Sequence, residues 1–265
     1  FILVVLTSIV ILGGLKRIAE VSAWLVPIMA VLYFVSVLSA ILLNIDQLLP
    51  SFRLIFVDAF TGNAVLGGGI AGVIITGIRR GAFSNEAGIG TESLVHGAAK
   101  TSNPVKQGLV AMTGPIFDTL IMCTLTALII LISGVWQSSD SSGVTLTSEA
   151  FSMILGPIGS LILFLCVVSF GMSTIFTYSY YGASCAKFLF GESGNKIYQY
   201  IFILFVGIFS VTSLDFALNV VDGSFAMMAI PTLISTIWLA PKVVAKANDY
   251  FTTLKTQDKT ELNRA

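Results

Sequence analysis

The sequence predicts an all-α, polytopic membrane protein, and two observations carry that prediction. Hydrophobic residues fill 55% of the 265 positions and charged residues only 11%, with a mean hydropathy of +0.93. A soluble domain carries about 25% charge, so the polar surface here is too small to cover a particle in water. Apolar stretches near ~20 residues, the length that crosses a bilayer as a helix, also recur along the whole chain. The remaining charge is balanced, 14 basic against 14 acidic side chains, and draws the chain to no polyanion. A soluble enzyme, a disordered chain and a nucleic-acid binder are excluded.

In chain order the spans are expected at roughly 1–15, 22–44, 64–99, 107–134, 158–185, 197–216 and 223–241, about seven in all. The first starts inside a hydrophobic run, Phe1-Ile2-Leu3-Val4-Val5, with no Met and no positive region before it. It reads as a truncated span rather than a signal peptide, and the chain as lacking an N-terminal part. Segment 46–61, with Pro50, Arg53 and Asp58, reads as a loop with a short amphipathic helix, and the Ser-rich 135–150 as a polar loop. The expected organisation is a transmembrane bundle over 1–241 and a charged tail over 242–265. Cys123, Cys166 and Cys185 lie in apolar runs without metal or disulfide spacing, and the single His96 makes no metal site alone.

Basic residues set the orientation. Lys16, Arg17, Lys100, Lys106, Lys187, Lys196, Lys242, Lys246, Lys255, Lys259 and Arg264 all fall on alternate loops or in the tail. That face, with the C-terminus, is expected in the cytoplasm. Arg79 and Arg80 belong to neither face.

The stretch 64–99 must cross the membrane, yet its middle reads Arg79-Arg80-Gly81-Ala82-Phe83-Ser84-Asn85-Glu86-Ala87-Gly88-Ile89-Gly90-Thr91-Glu92. A charge at the centre of a lipid-facing helix costs ~2.5–3.5 kcal/mol, so these four must face protein or water. Glycines at 81, 88 and 90 weaken the helix by about 1 kcal/mol each. A broken helix at membrane depth is tolerated where it lines a cavity or is buried. Its free N–H groups suit a carboxylate and its free C=O groups a cation, which together match a zwitterionic amino acid with Na⁺. The alternative is a polar helix whose arginines and glutamates pair structurally. Gly67-Gly68-Gly69-Ile70-Ala71-Gly72 also fits GxGxxG, but its flanks are membrane helices rather than a βαβ unit, and close helix approach explains it better.

In 158–185, Ser173, Thr177 and Tyr181 share one helical stripe, and Thr174 and Tyr178 the next. Hydroxyl oxygens suit a hard cation such as Na⁺; the competing account is bonding back to the helix's own carbonyls. Asp118, a carboxylate inside 107–134, is either functional or a partner for Arg79 or Arg80. Pro231 is expected to kink the last span.

These residues resemble a known family. Arg80 with Gly81-Ala82-Phe83-Ser84-Asn85-Glu86-Ala87-Gly88-Ile89-Gly90 is similar to the RGxFSNEAGxG motif of the alanine or glycine:cation symporters. Gly13-Gly14-Leu15-Lys16-Arg17-Ile18-Ala19-Glu20-Val21 resembles their GGxKRIAEV segment and Phe117-Asp118-Thr119-Leu120 their FxDTL run. Ser173-Thr174 through Tyr180-Tyr181-Gly182 resembles FSTxxxWSYYG. The resemblance implies a LeuT-type inverted-repeat bundle, partial here, in the cell membrane. It implies Na⁺ (H⁺ in some members) entering with a small neutral amino acid, and no cofactor beyond the coupling ion. It makes 64–99 the discontinuous helix of the second repeat. Phe83 and Asn85 would contact substrate, Thr174 and Tyr178 would line the same pocket, and Ser173 with Thr174 would ligate the cation. Asp118 joins the cation-site candidates, and Arg80 and Glu86 remain as further polar intramembrane residues.

There are two departures: Tyr178 stands where the family usually has Trp, which bears on pocket size and substrate, and Thr232 follows the last helix's proline where the family usually has Asn. Without the first repeat's discontinuous helix, this polypeptide alone is not expected to transport. The rival readings are a symporter for another amino acid such as glutamine or serine, an ion channel, and a membrane enzyme using Ser84 beside Glu86.

Overall fold

The computed structural model describes residues 2–59, 69–86 and 88–262. Phe1, residues 64–68 of the third expected span, the first two glycines of the GxGxxG match, Ala87 and Arg264 lie outside the described residues. Among those described, all regular structure is helical: α1 (Ile2–Ile11), α2 (Gly14–Leu43), α3 (Ile45–Ala59), α4 (Gly69–Ser84), α5 (Thr91–Gly97), α6 (Pro104–Ala111), a π-helix (Ile116–Cys123), α7 (Thr124–Ser133), α8 (Val144–Phe209) and α9 (Leu214–Leu262).

Four stretches among them are long and apolar enough to cross a membrane: Arg17–Leu43, Pro104–Ser133, Val144–Phe209 and Phe216–Thr256. Their outer faces carry large apolar side chains, with Trp24 77%, Phe188 89% and Trp238 78% exposed. Single exposed apolar residues are ordinary, but apolar surface on this scale needs lipid or a partner to cover it. This is a multi-pass membrane protein.

At 66 residues, α8 would be roughly 100 Å long if straight, more than three bilayer cores. Two glycines divide it. Gly156 (φ 66°, ψ −159°) and Gly191 (φ 71°, ψ −162°) hold conformations open only to glycine. Packing confirms the turn at Gly191. Residues 182 and 198 would stand about 24 Å apart along a straight helix, yet a side chain at Gly182 would collide with the Tyr198 ring. The chain folds back there as a tight helical hairpin, closed by the ion pair of Lys187 with Glu192. The hydrogen bond from Lys187, with the charge of that pair, holds the Glu192 carboxyl below the ordinary carboxylate range.

The chain divides into two compact units, Phe1–Gly81 with Phe117–Val211, and Ala82–Ile116 with Thr212–Ala265. The first packs Val37, Ala40 and Ile41 of α2 against Leu128 and Ile129 of α7 and Phe151 and Leu163 of α8. Beside this core the Tyr33 hydroxyl meets Thr126 Oγ1 at 2.5 Å, and the Tyr33 and Phe151 rings lie 5.8 Å apart. A smaller cluster joins Ile11, Ile18 and Phe176. In the second unit, α5 and α6 are tied by Gln107 Nε2 and His96 Nδ1 at 2.9 Å. Asn103 caps α6, its Oδ1 accepting from Val105 N at 2.9 Å, with Pro104 in the first turn.

Several expectations are corrected. Lys16 and Arg17 are not in a loop: α2 starts at Gly14, and only residues 12–13 separate it from α1. The polar loop expected at 135–150 ends early, because helix resumes at Val144 and buries Ala150 and Phe151 completely. The charged tail continues α9 as helix to Leu262. Helix runs through Pro231, the residue expected to kink it.

Candidate functional site

The break expected in the third span is present. Helix α4 ends at Ser84 and α5 begins at Thr91, so the opening starts at Asn85, and Gly81 lies within regular helix. Glu86 (φ 53°) is the only non-glycine with positive φ among the described residues; Gly88 (φ 79°) and Gly90 (φ 90°) follow it. Three left-handed positions within five residues prevent the i→i+4 ladder from closing. Short turns replace it, with Glu86 N donating to Phe83 O at 3.2 Å and Ile89 N to Glu86 O at 3.3 Å.

Side chains brace this opening. The hydroxyl of Thr91, 2% exposed, donates to the Glu86 carboxylate. Ser93 Oγ donates to the Gly90 carbonyl at 2.7 Å. Glu86 thus serves as a local brace across the opening. No side chain caps α5, whose N-cap is Gly90. Glu92, one residue into α5, has its Oε2 buried with no hydrogen-bond partner. The Phe83 ring packs on Phe225 of α9, centroids 5.0 Å apart. Arg79 and Arg80 are exposed on the last turns of α4.

The second set of residues lies on α8, in the other unit. Ser173 is 8% exposed; its Oγ donates to Phe170 O at 2.8 Å, and Thr174 Oγ1 donates to the same carbonyl at 2.9 Å. Thr177 donates to Ser173 O at 2.9 Å. The competing account of these hydroxyls therefore holds for their hydrogens. Each oxygen keeps acceptor lone pairs, so donation to the helix leaves the Ser173 and Thr174 oxygens able to ligate a hard cation. Tyr178 packs edge-on against Tyr181, centroids 5.3 Å apart.

Asp118 lies on the π-helix Ile116–Cys123. Such wide turns are rare and gather at functional sites. The sequence reading missed it, although Gly114-Pro115 was a signal: Pro115 has no N–H to offer the Ala111 carbonyl, and the ladder must shift around it. A shallow cavity between α2 and α8, lined by Gly14, Ile18, Ser179, Tyr180, Ser184 and Asn195, contains none of the expected site residues.

Comparison with known proteins gives a consistent answer. The family model described as the sodium:alanine symporter family matches residues 1–264. An uncharacterized transporter of Haemophilus influenzae is 38% identical over 96% of this chain and 57% of its own length. The sodium/alanine symporter AgcS of Methanococcus maripaludis is 38% identical over 94% of this chain and 56% of its own. A probable sodium/glutamine symporter, GlnT, of Bacillus subtilis is 35% identical over 94% and 52%. The chain spans about half the length of the curated relatives it matches. These relatives are transporters, not enzymes, and the reading of Ser84 and Glu86 as a hydrolytic pair falls with them. A helix opened at Asn85–Gly90, a stripe of hydroxyls on α8 and a match along the whole chain agree: this chain belongs to the sodium:alanine symporter family.

Proposed function

We propose that the protein is a secondary active symporter, coupling the entry of Na⁺ to the uptake of a small neutral amino acid of alanine or glycine type across the cell membrane. Its fold is the LeuT-type inverted-repeat bundle, with about seven spans in this chain, over 1–241, and the charged stretch 242–265 lies in the cytoplasm. Supporting the span count are the four long apolar stretches, the division of α8 at Gly191, and α1 and the interrupted α4–α5 pair. The excess of basic residues on alternate connections supports the orientation.

The observation that carries this reading is the opening at Asn85–Gly90 between α4 and α5, in the stretch expected to cross the membrane. Unwound main chain at that depth offers donors and acceptors to a zwitterion without the cost of breaking a helix when substrate arrives. Phe83 and Asn85 contact the substrate there. Thr174 and Tyr178 contribute from α8, with Tyr178 limiting side-chain size. Ser173 and Thr174 supply hard oxygen ligands suited to Na⁺, and Asp118 supplies the negative charge. Coupling arises because cation and amino acid stabilise one occluded arrangement, each raising the other's affinity by ~1–3 kcal/mol. The GlnT relative marks glutamine as the alternative substrate.

Asn85→Ala is the direct test. In the reconstituted full-length transporter it abolishes binding of labelled alanine and glutamine; wild-type affinity in that variant removes Asn85 from the site.

A further inference from the structure

The second unit holds an arrangement that these roles leave unused. Phe225 and Thr232 of α9 are seven residues apart, two helical turns, and so share one stripe. That stripe meets the opened segment at both ends. At the first, the Phe225 and Phe83 rings lie 5.0 Å apart at 40°. At the second, Gly90 presses on Thr232: a Cβ at Gly90 would stand 2.7 Å from Thr232 Oγ1 and 3.4 Å from its Cγ2. Between them, a Cβ at Gly88 would lie 3.7 Å from Leu233 Cδ2. The Thr232 hydroxyl itself donates to Met228 O of its own helix at 2.9 Å. What it presents to Gly90 is bulk and shape, with the oxygen's acceptor lone pairs left over.

A continuous helix positions its own main chain through its ladder. An opened one has lost that ladder and must be positioned by what it rests on. Glycine at 90 serves two needs at once, a positive φ and an α-carbon bare enough to meet a side chain.

We propose that the Phe225–Thr232 stripe of α9 is the seat of the opened segment. Thr232 is a positioning residue: its volume sets where the main-chain groups of 85–90 stand, and through them the affinity for amino acid. This rests on the reading of the opening as the substrate site. Phe225 holds the incoming end through Phe83.

The test compares volumes at one position, reading uptake of labelled alanine and glutamine by the reconstituted full-length transporter. Thr232→Val keeps the shape and removes the bond to Met228 together with the oxygen's lone pairs, so KM stays within about twofold if volume is what matters. Thr232→Leu forces bulk against Gly90, and KM rises about tenfold or more while kcat falls less. Wild-type KM in Thr232→Leu, or equal damage from Thr232→Val, overturns the proposal. Where Thr232→Leu fails to give a monodisperse protein on size exclusion, Phe225→Ala decides. It raises KM about fivefold if the stripe is the seat, and a wild-type KM overturns it. Asn85→Ala in the same assay separates the two readings. Wild-type affinity in Asn85→Ala sinks the substrate site and this proposal together. Lost binding there, with unchanged KM in Thr232→Leu and Phe225→Ala, sinks the positioning role alone.

Discussion

The segment 85–90 and helix α8 both contain glycines in the left-handed half of backbone space, and only the former opens. In α8 the exceptional residues stand alone: Gly156 and Gly191 are separated by an unbroken run of helix. Each redirects the axis, helix resumes at the next residue, and packing such as Tyr198 on Gly182 holds the new direction. In the opened segment, Glu86, Gly88 and Gly90 follow one another at alternate positions, and the ladder has no room to restart between them. The spacing of positive-φ residues, rather than the number of glycines, decides whether a helix bends or opens. Gly81 makes the same point in reverse. It lies inside α4 with space around its α-carbon, and the helix runs straight through it. The left-handed Glu86 costs of order 1–2 kcal/mol, which its surroundings must offset; the Thr91 hydroxyl on its carboxylate is part of that support.

The sharpest way to break this comparison is Gly90→Ala. It adds strain of about 1–2 kcal/mol at φ 90° and drives Cβ into Thr232, so uptake is lost and thermal stability in detergent falls. Gly88→Ala carries the strain without the collision, and its loss is smaller; equal losses would remove Thr232 from the explanation. A middle-sized effect is expected on α8. Ser173→Ala combined with Thr174→Ala raises the Na⁺ concentration for half-maximal uptake several-fold with little change in stability, because Ala is a good helix former. An unaltered Na⁺ curve would show that these hydroxyls serve only their own helix. The smallest effect is at Gly81. Gly81→Ala leaves uptake intact and stabilises α4 by up to about 1 kcal/mol. Damage at Gly81 comparable to that at Gly90 would mean that glycine content, not the spacing of left-handed residues, governs the opening.

Much of this was legible in the sequence. Arginine, asparagine and glutamate among glycines already pointed to an interrupted helix. The amphipathic stretch with Pro50 and Arg53 is the helix α3. Ser173, Thr174 and Tyr178 fall on the helical stripes that their spacing predicted. The helical hairpin at Gly191 was less legible, because a single glycine in a helical run ordinarily reads as tolerated. The helix from Val144 was hidden under a serine-rich start, and only the buried Ala150 and Phe151 explain why it forms. The extension of α9 through its charged end was hidden in the same way, by composition that reads as tail.

The sequence by itself determined that the chain is built of apolar helices and where one of them must open, since both follow from local composition and from the backbone preferences of single residues. The tertiary structure alone decided what the opened segment rests on. Phe83 meets Phe225 and Gly90 meets Thr232 because two distant stretches pack together, and a contact between residues so far apart in the chain leaves no local signature in either of them.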